Sequence, residues 1–360
     1  LKLQIEKPAL VGLLAKLTGA VEKRNTIPVL SHVALYADGD TLTGRATNLD
    51  IEVSASVPAT VLQPGSLTAP ASMLAALASK FANGALITIE ETKSGLKLSA
   101  GKTKFELPTL PIDDFPVMAS AEYEAEFSLP AFELHRVLDL TAKCQSTEET
   151  RYYLNGTYLH RFDGKLRGVS TDGHRLAQID GPSVPEFPAV ILPTKTCQEV
   201  LKLLDAGDVS VSFSATKARF EVGGAVVVSK VVDGTFPDYT RVVPSDAGEV
   251  VVADAASIKA AADRVATVAD NRTNGVKLNI ADGEMRLSVE TTSGSAGEDA
   301  VEVEYQGKPL EIGFNGKYLS DVLNNCKGQD IALDIAPNRA AVIRPVDDAG
   351  ALYVVMPMRV

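Results

Sequence analysis

The sequence predicts an α+β fold assembled from three like units, and three observations carry that reading. An Asp-Gly pair sits between alternating apolar runs at Asp38-Gly39, Asp163-Gly164 and Asp282-Gly283, spaced by 125 and 119 residues along the 360-residue chain. A helical pattern precedes each pair, over Pro8–Val21, Ala131–Ala142 and Ala255–Ala269, and a second follows it, over Ala71–Ala82, Lys195–Ala206 and Gly316–Lys327. The stretches between them alternate with period two. Repetition at a long period signals units that stack into an extended or closed array.

Taken in order, the chain opens on Leu1–Lys7, which reads as an amphipathic strand rather than a signal peptide. Leu1 in place of Met reads as a processed or altered start. The first helix carries an apolar stripe through Leu10, Leu13, Leu14 and Leu17. His32–Tyr36 then runs into the first Asp-Gly pair and returns at Leu42, the pattern of a hairpin. Leu154–Phe162 with Leu166–Val169, and Val276–Ile280 with Met285–Val289, repeat it. Leu86–Ile89, Val209–Phe213 and Ile331–Ile335 add strands after the second helix of each unit. Each unit is therefore helix, strands, helix, strands, with helices on one side and sheets on the other. Proline ends a strand at Phe115-Pro116 and at Phe236-Pro237. The linkers that follow, Met118–Glu124 and Pro244–Glu249, divide the chain into domains 1–121, 122–247 and 248–360.

Composition narrows the function. The chain is 45% hydrophobic with 27 Gly and 19 Pro, as a globular protein is. No apolar run approaches the roughly 18 residues that span a bilayer, so a cytoplasmic protein with no membrane partner is expected. The three cysteines, Cys144, Cys197 and Cys326, are far apart and read as core thiols in a reducing compartment. Net charge is −11: 11 basic against 11 acidic residues over 1–121, 13 against 18 over 122–247, and 11 against 17 over 248–360. An acidic total argues against indiscriminate adhesion to nucleic acid. Charge is nonetheless felt locally, within about 10 Å. Bases gather on or just after the helices: Lys16, Lys23 and Arg24, then His135, Arg136 and Lys143, then Lys202, then Lys259, Arg264 and Arg272, then Lys317 and Lys327. Any one of them suits an ordinary solvated helix face, but their recurrence predicts one common basic surface.

Enzyme chemistry finds little support. Gly101-Lys102-Thr103 ends like a phosphate loop, but Gly95 stands one residue too far upstream and no helix follows. The four histidines, His32, His135, His160 and His174, lack metal-ligand spacing, and no cofactor is expected. Asp172-Gly173-His174-Arg175 has the residue types of a general-base pair, yet it falls at a strand end after a hairpin, where a turn-forming Asp is the simpler account.

Several strings, in order from end to end, resemble the bacterial DNA polymerase III beta subunits, the sliding clamps. They are Asn25-Thr26-Ile27-Pro28-Val29-Leu30, Arg151-Tyr152-Tyr153-Leu154-Asn155-Gly156 and Ser170-Thr171-Asp172-Gly173-His174-Arg175-Leu176-Ala177. Val232-Asp233-Gly234-Thr235-Phe236-Pro237-Asp238-Tyr239, Glu311-Ile312-Gly313-Phe314-Asn315 and the terminal Tyr353-Val354-Val355-Met356-Pro357-Met358-Arg359-Val360 complete the set. The resemblance implies three repeated clamp domains and two protomers closing a six-domain ring, helices inside and sheets outside, around duplex DNA. It implies a processivity factor without catalysis. Implied partners are a second copy of the chain, DNA bound without sequence preference, the DNA polymerase III alpha subunit and the clamp loader delta subunit. Other DNA polymerases and repair proteins would dock, like these, through short linear peptides.

The resemblance also assigns residues. A peptide groove is implied at Leu154, Thr171, Gly173, His174, Arg175, Leu176, Pro237, Arg241 and Val242 of the second domain. The third domain would add Asn315, Tyr318, Val342, Val354, Met356, Pro357 and Met358. DNA contact is implied at Arg24, Arg151, Tyr152 and Tyr153, with Glu148 and Glu149 adding negative charge beside the latter three. For the dimer, Lys102, Lys104, Phe105 and Leu107 would meet Val268, Glu298, Glu302 and Glu304, opposite charges on the two ends.

Overall fold

The computed structural model of the protein describes residues 1–22, 26–246, 248–270, 274–337 and 339–360. Among them every helical stretch read from the sequence is a helix: α1 Lys7–Leu17, α2 Ala71–Lys80, α3 Ala131–Ala142, α4 Thr194–Leu201, α5 Ala255–Ala266 and α6 Gly316–Asn325. Each buries the side its periodicity marks. In α1, Leu10, Leu13, Leu14 and Leu17 are all buried, and a proline in the first turn sets the entry angle. Asp254 caps α5 by accepting from the Ser257 amide at 2.7 Å, and Asn315 caps α6 by accepting from Lys317 and Tyr318. The last expected turn of α4 is missing, and the chain leaves it through Gly207 at φ +79°.

The chain forms two compact units, residues 1–135 with 185–232, and 136–184 with 233–360; the division falls inside α3. The first unit holds two antiparallel sheets. One runs Thr60–Gln63, Lys2–Glu6, Leu86–Thr92, Gly95–Ala100, Thr103–Leu107. The other runs Ala125–Pro130, Asp208–Phe213, Lys217–Val222, Ala225–Lys230, Ile51–Pro58, Thr41–Thr47, His32–Asp38, Gly65–Pro70. It joins strands from both sides of the linker Met118–Glu124. The second unit repeats the plan. Gly156–Phe162, Lys165–Thr171, Arg175–Ser183, Ala351–Val355, Ala341–Pro345, Asp330–Ile335 and Glu249–Asp254 follow one another in one sheet. A smaller sheet runs Ala296–Glu302, Glu284–Glu290, Gly275–Ala281, Leu310–Asn315.

The three Asp-Gly hairpins form, though not identically. Asp163-Gly164 and Asp282-Gly283 both have two residues at positive φ, the mirror-image turn that follows strand twist. In the first hairpin Asp38 still pairs with Thr41, so the loop is Gly39-Asp40 and only Gly39 has positive φ. The core lies between helices and sheets, and small residues allow the approach. Gly44 lies under Leu17 of α1, and Gly168 under Val137 of α3, with no space for a methyl group at either.

Candidate functional site

Within the second unit a cleft of about 280 Å³ opens above the strand Arg175–Ser183. Antiparallel register sets Leu176 beside Val354, and Val354 beside Val342, an apolar row across three strands. Leu176 and Val354 form the floor, and Val342 is fully buried behind them. One wall is the 3₁₀ turn Tyr239–Arg241 with Pro237, Asp238 and Val242; the other is the 3₁₀ segment Glu149–Leu154 with Arg151, Tyr153 and Leu154. Met356 and Val242 are 44% and 48% exposed, so the cleft has apolar lips facing solvent.

The Thr171–Arg175 turn shapes one end. The Thr171 hydroxyl donates to the Arg175 carbonyl at 2.7 Å and accepts from the Gly173 amide. Asp172 accepts from the amides of His174 and Arg175 and, at 3.1 Å, from Arg175 Nε. Its carboxylate thus organises a turn. Gly173 has φ +89°, and the Arg151 guanidinium lies where its side chain would be. The Met356 amide donates to the His174 carbonyl at 2.8 Å and pins the lip to this turn.

Charge is concentrated at the same end. Arg175 bridges Asp172 and Asp321, the latter at 2.7 Å, and its guanidinium lies 4.5 Å from the Tyr318 ring centroid. His174 stacks on the Tyr318 ring, with centroids 5.8 Å apart. Burial opposes the Arg175 charge, but the Asp321 hydrogen bond and nearby acids outweigh it and hold the guanidinium above its ordinary value. Burial, reinforced by Asp172, raises Tyr318.

Of the groove residues expected from the sequence, Leu154, Thr171, Gly173, Arg175, Leu176, Pro237, Val242, Val354 and Met356 line the cleft. His174 and Tyr318 flank it. Arg241 points outward, its side chain 83% exposed and paired with Asp238 at 2.9 Å. Asn315 serves as the α6 cap, and Met358 leaves the cleft, its amide donating to the Gly313 carbonyl; Pro357 lies between. Sequence reasoning missed Asp238 and Tyr239 as lining residues, and Asp321 as the partner of Arg175. The aromatic after Pro237-Asp238 is a signal for the former. Nothing local signals Asp321, 146 residues from Arg175.

Arg24, Lys23 and Arg272 lie outside the described residues. Arg151 and Tyr153, expected on DNA, line the cleft. Arg151 forks onto Glu148 through bonds of 2.7 and 2.6 Å, and this pairing holds Glu148 below and Arg151 above their ordinary values. Tyr152 is 53% exposed, its ring edge-on to Tyr153. Several helix bases also have local partners: Lys16 on the Gly223 carbonyl, Lys202 on Glu199, Lys259 on Asp263 and Arg264 on Asp299.

Each unit ends a sheet in an exposed edge. In the first, Thr103–Leu107 is terminal; Phe105 is 39% exposed and packs edge-on against Phe81, with Lys102 and Lys104 exposed beside it. Leu107, the other apolar residue expected at this edge, is buried. It is 3% exposed, packed within its own unit, so a charge there would disturb folding as well as any assembly. In the second unit Ala296–Glu302 is terminal, and Val268 of the segment after α5 lies over Gly297, 37% exposed. Glu298 pairs with Arg286 at 2.8 Å, Glu302 is exposed, and Glu304 exchanges backbone bonds with Val252.

Comparison with known proteins gives this geometry a context. The chain matches the DNA polymerase III beta subunit N-terminal domain over residues 1–119, the central domain over 128–238 and the C-terminal domain over 240–359. It is similar to the beta sliding clamp of Caulobacter vibrioides, 41% identical over 374 residues and covering all of both chains. Similarity to the Escherichia coli beta sliding clamp is 32% over 365 residues, again covering both chains in full. Among solved structures, the DNA polymerase III subunit beta of Bartonella birtlesii, bound to griselimycin, superposes with a TM-score of 0.96 at 38% identity, covering 100% of this chain and 99% of that one.

Proposed function

The chain belongs to the DNA polymerase III beta subunit family, the sliding clamps that make polymerases processive, and we propose that two copies close a ring around duplex DNA and tether partners through the cleft above Leu176. The observation that carries the reading is that cleft: an apolar floor of Leu176 and Val354, a deformable methionine lip, and a charged end at Arg175. Such a site suits a short peptide with a Gln followed by Leu and an aromatic residue. Methionine and valine lips adapt to different sequences, and the polar end fixes orientation. Burying a Leu and a Phe contributes roughly 1.5–3 kcal/mol each before ordering costs, far short of the roughly 12 kcal/mol of nanomolar binding. Weak docking suits exchange of partners: the alpha subunit of the polymerase, the delta subunit of the clamp loader, and other polymerases and repair proteins.

In this reading the chain has three domains, 1–121, 122–247 and 248–360, and is a non-catalytic cytoplasmic subunit. The Thr103–Leu107 edge of one copy pairs with the Ala296–Glu302 edge of the next, the helices line the hole and the sheets face outward. Unpaired strand edges seek partners. Lysines at one edge and glutamates at the other favour this head-to-tail contact over like with like. Processivity follows from effective concentration, since a polymerase that lets go of the primer end stays close to it. Helix bases already shared with neighbouring acids touch phosphates weakly, and the ring slides.

The test joins two measurements. The protein loaded on nicked circular DNA is retained, and linearising the DNA releases it. By calorimetry, the peptide binds the full chain and fails to bind a dimeric variant lacking Met356–Val360. Equal retention on both DNA forms would overturn the ring, and undiminished peptide binding by the truncated dimer would overturn the groove.

A further inference from the structure

Behind the cleft wall lies a group of side chains that the groove itself does not use. The outward-facing alternate residues of the strand Gly156–Phe162 are Tyr158, His160 and Phe162. They dock the segment that carries the wall. Phe236 stacks flat on Tyr158, with centroids 4.9 Å apart, and Tyr239 packs on His160 at 5.8 Å. Pro237, Asp238 and Val242 therefore reach the cleft from a backbone anchored by these two aromatic contacts.

The register adds a polar row beneath Tyr239. His160 pairs across strands with Arg167, and Arg167 with Asp180. Arg167 grips Asp180 through one edge of its guanidinium, Nε at 2.5 Å and Nη2 at 2.9 Å, and its Nη1 lies 3.4 Å from the Tyr239 hydroxyl. The hydroxyl lies 3.1 Å from His160 Nε2, and His160 Nδ1 lies 3.2 Å from the Arg161 carbonyl. A carbonyl only accepts, so Nδ1 carries the proton and Nε2 is the acceptor. The sequence of bonds is then fixed: Arg167 donates to the Tyr239 oxygen, and the Tyr239 hydroxyl donates to His160.

We propose that His160 and Tyr239 are positioning residues for the groove, and that a proton on His160 loosens the cleft wall and weakens peptide binding. A second proton at Nε2 removes the acceptor of the Tyr239 hydroxyl. It also sets an imidazolium beside the Arg167 cation, with the Asp180 carboxylate shared between the two. The groups facing His160 are Tyr158, the Arg161 carbonyl, Arg167, Asp180 and Tyr239; burial, the largest influence among them, favours the neutral ring. A peptide that packs against Val242 and Pro237 selects the docked wall and so the neutral histidine. This inference rests on the groove reading and adds a regulator to it.

The test uses the full-length protein and an end-capped pentapeptide containing Gln, Leu and Phe with no ionisable side chain. Calorimetry from pH 7.5 to 5.5 should show affinity falling about threefold or more as the histidine range is crossed. His160→Gln supplies one donor and one acceptor without titrating. It should bind somewhat more weakly than the wild type at pH 7.5, because the ring contact with Tyr239 is lost, and should lose most of the fall with pH. Tyr239→Phe should bind more weakly at pH 7.5 and show a similarly shallow profile. An undiminished fall in His160→Gln would overturn this inference and leave the groove standing. Absence of wild-type binding at every pH would overturn both.

Discussion

Arg175 shows how much of the site rests on single contacts. Its side chain is 10% exposed, and two carboxylates and a tyrosine ring hold it in place. Removing a partner from a buried ion pair costs roughly 3–5 kcal/mol when the charge is stranded. Asp172 remains in Asp321→Ala, so the loss in urea unfolding should fall at or below that range. Peptide affinity should fall with it, because the turn that pins Met356 is braced by the same arginine. A stability change under about 0.5 kcal/mol would show the pair to be incidental. At this scale the sequence was only half legible. Leu176, Val354 and Met356 belong to a recognisable string, but Tyr239 is defined by His160 and Arg167, 79 and 72 residues away. Period-two alternation does not reveal that Leu107, at the end of this edge strand, is buried while Phe105, two residues earlier, stays exposed.

Elements were more legible than contacts, because caps, turns and apolar spacing are local. The six helices and the three hairpins were all readable, and the first hairpin differs only in which residues of its loop turn left-handed. Sheet membership was not readable. Nothing short-range in Ala225–Lys230 says that it pairs with Ile51–Pro58. Small residues under helices form a second hidden layer. Gly168→Ala in the strand Lys165–Thr171 keeps an allowed backbone but drives a methyl group into Val137 of α3. Overpacking of this kind typically costs about 1–3 kcal/mol. Chemical denaturation should show that loss, and Val137→Ala in the same chain should restore part of it. A neutral Gly168→Ala would mean that α3 moves aside freely.

For the whole molecule, the edge-to-edge reading makes Phe105 the informative position, since it is exposed where Leu107 is not. Phe105→Asp should leave the melting temperature near wild type and yield monomers in sedimentation at low concentration, because a carboxylate entering an apolar contact loses its water. An unchanged dimer would place the interface elsewhere. Acid should also weaken the fold. Burial pushes His32 below its ordinary value, so the unfolded chain binds the proton first. Stability is then fully present above about pH 6.5 and declines as pH falls through that value towards the folded one. His32→Gln should flatten that decline in thermal melts at constant ionic strength. Finally, the cleft floor joins Leu176 to Val354, neighbours in the sheet although 178 residues separate them in the chain. Whatever fills the cleft staples the two ends of that long excursion together. A ligand at a hundred times its dissociation constant stabilises its receptor by about 2.7 kcal/mol. Occupied protein should therefore outlast empty protein under limiting protease, and its half-life becomes a record of how often it is in use.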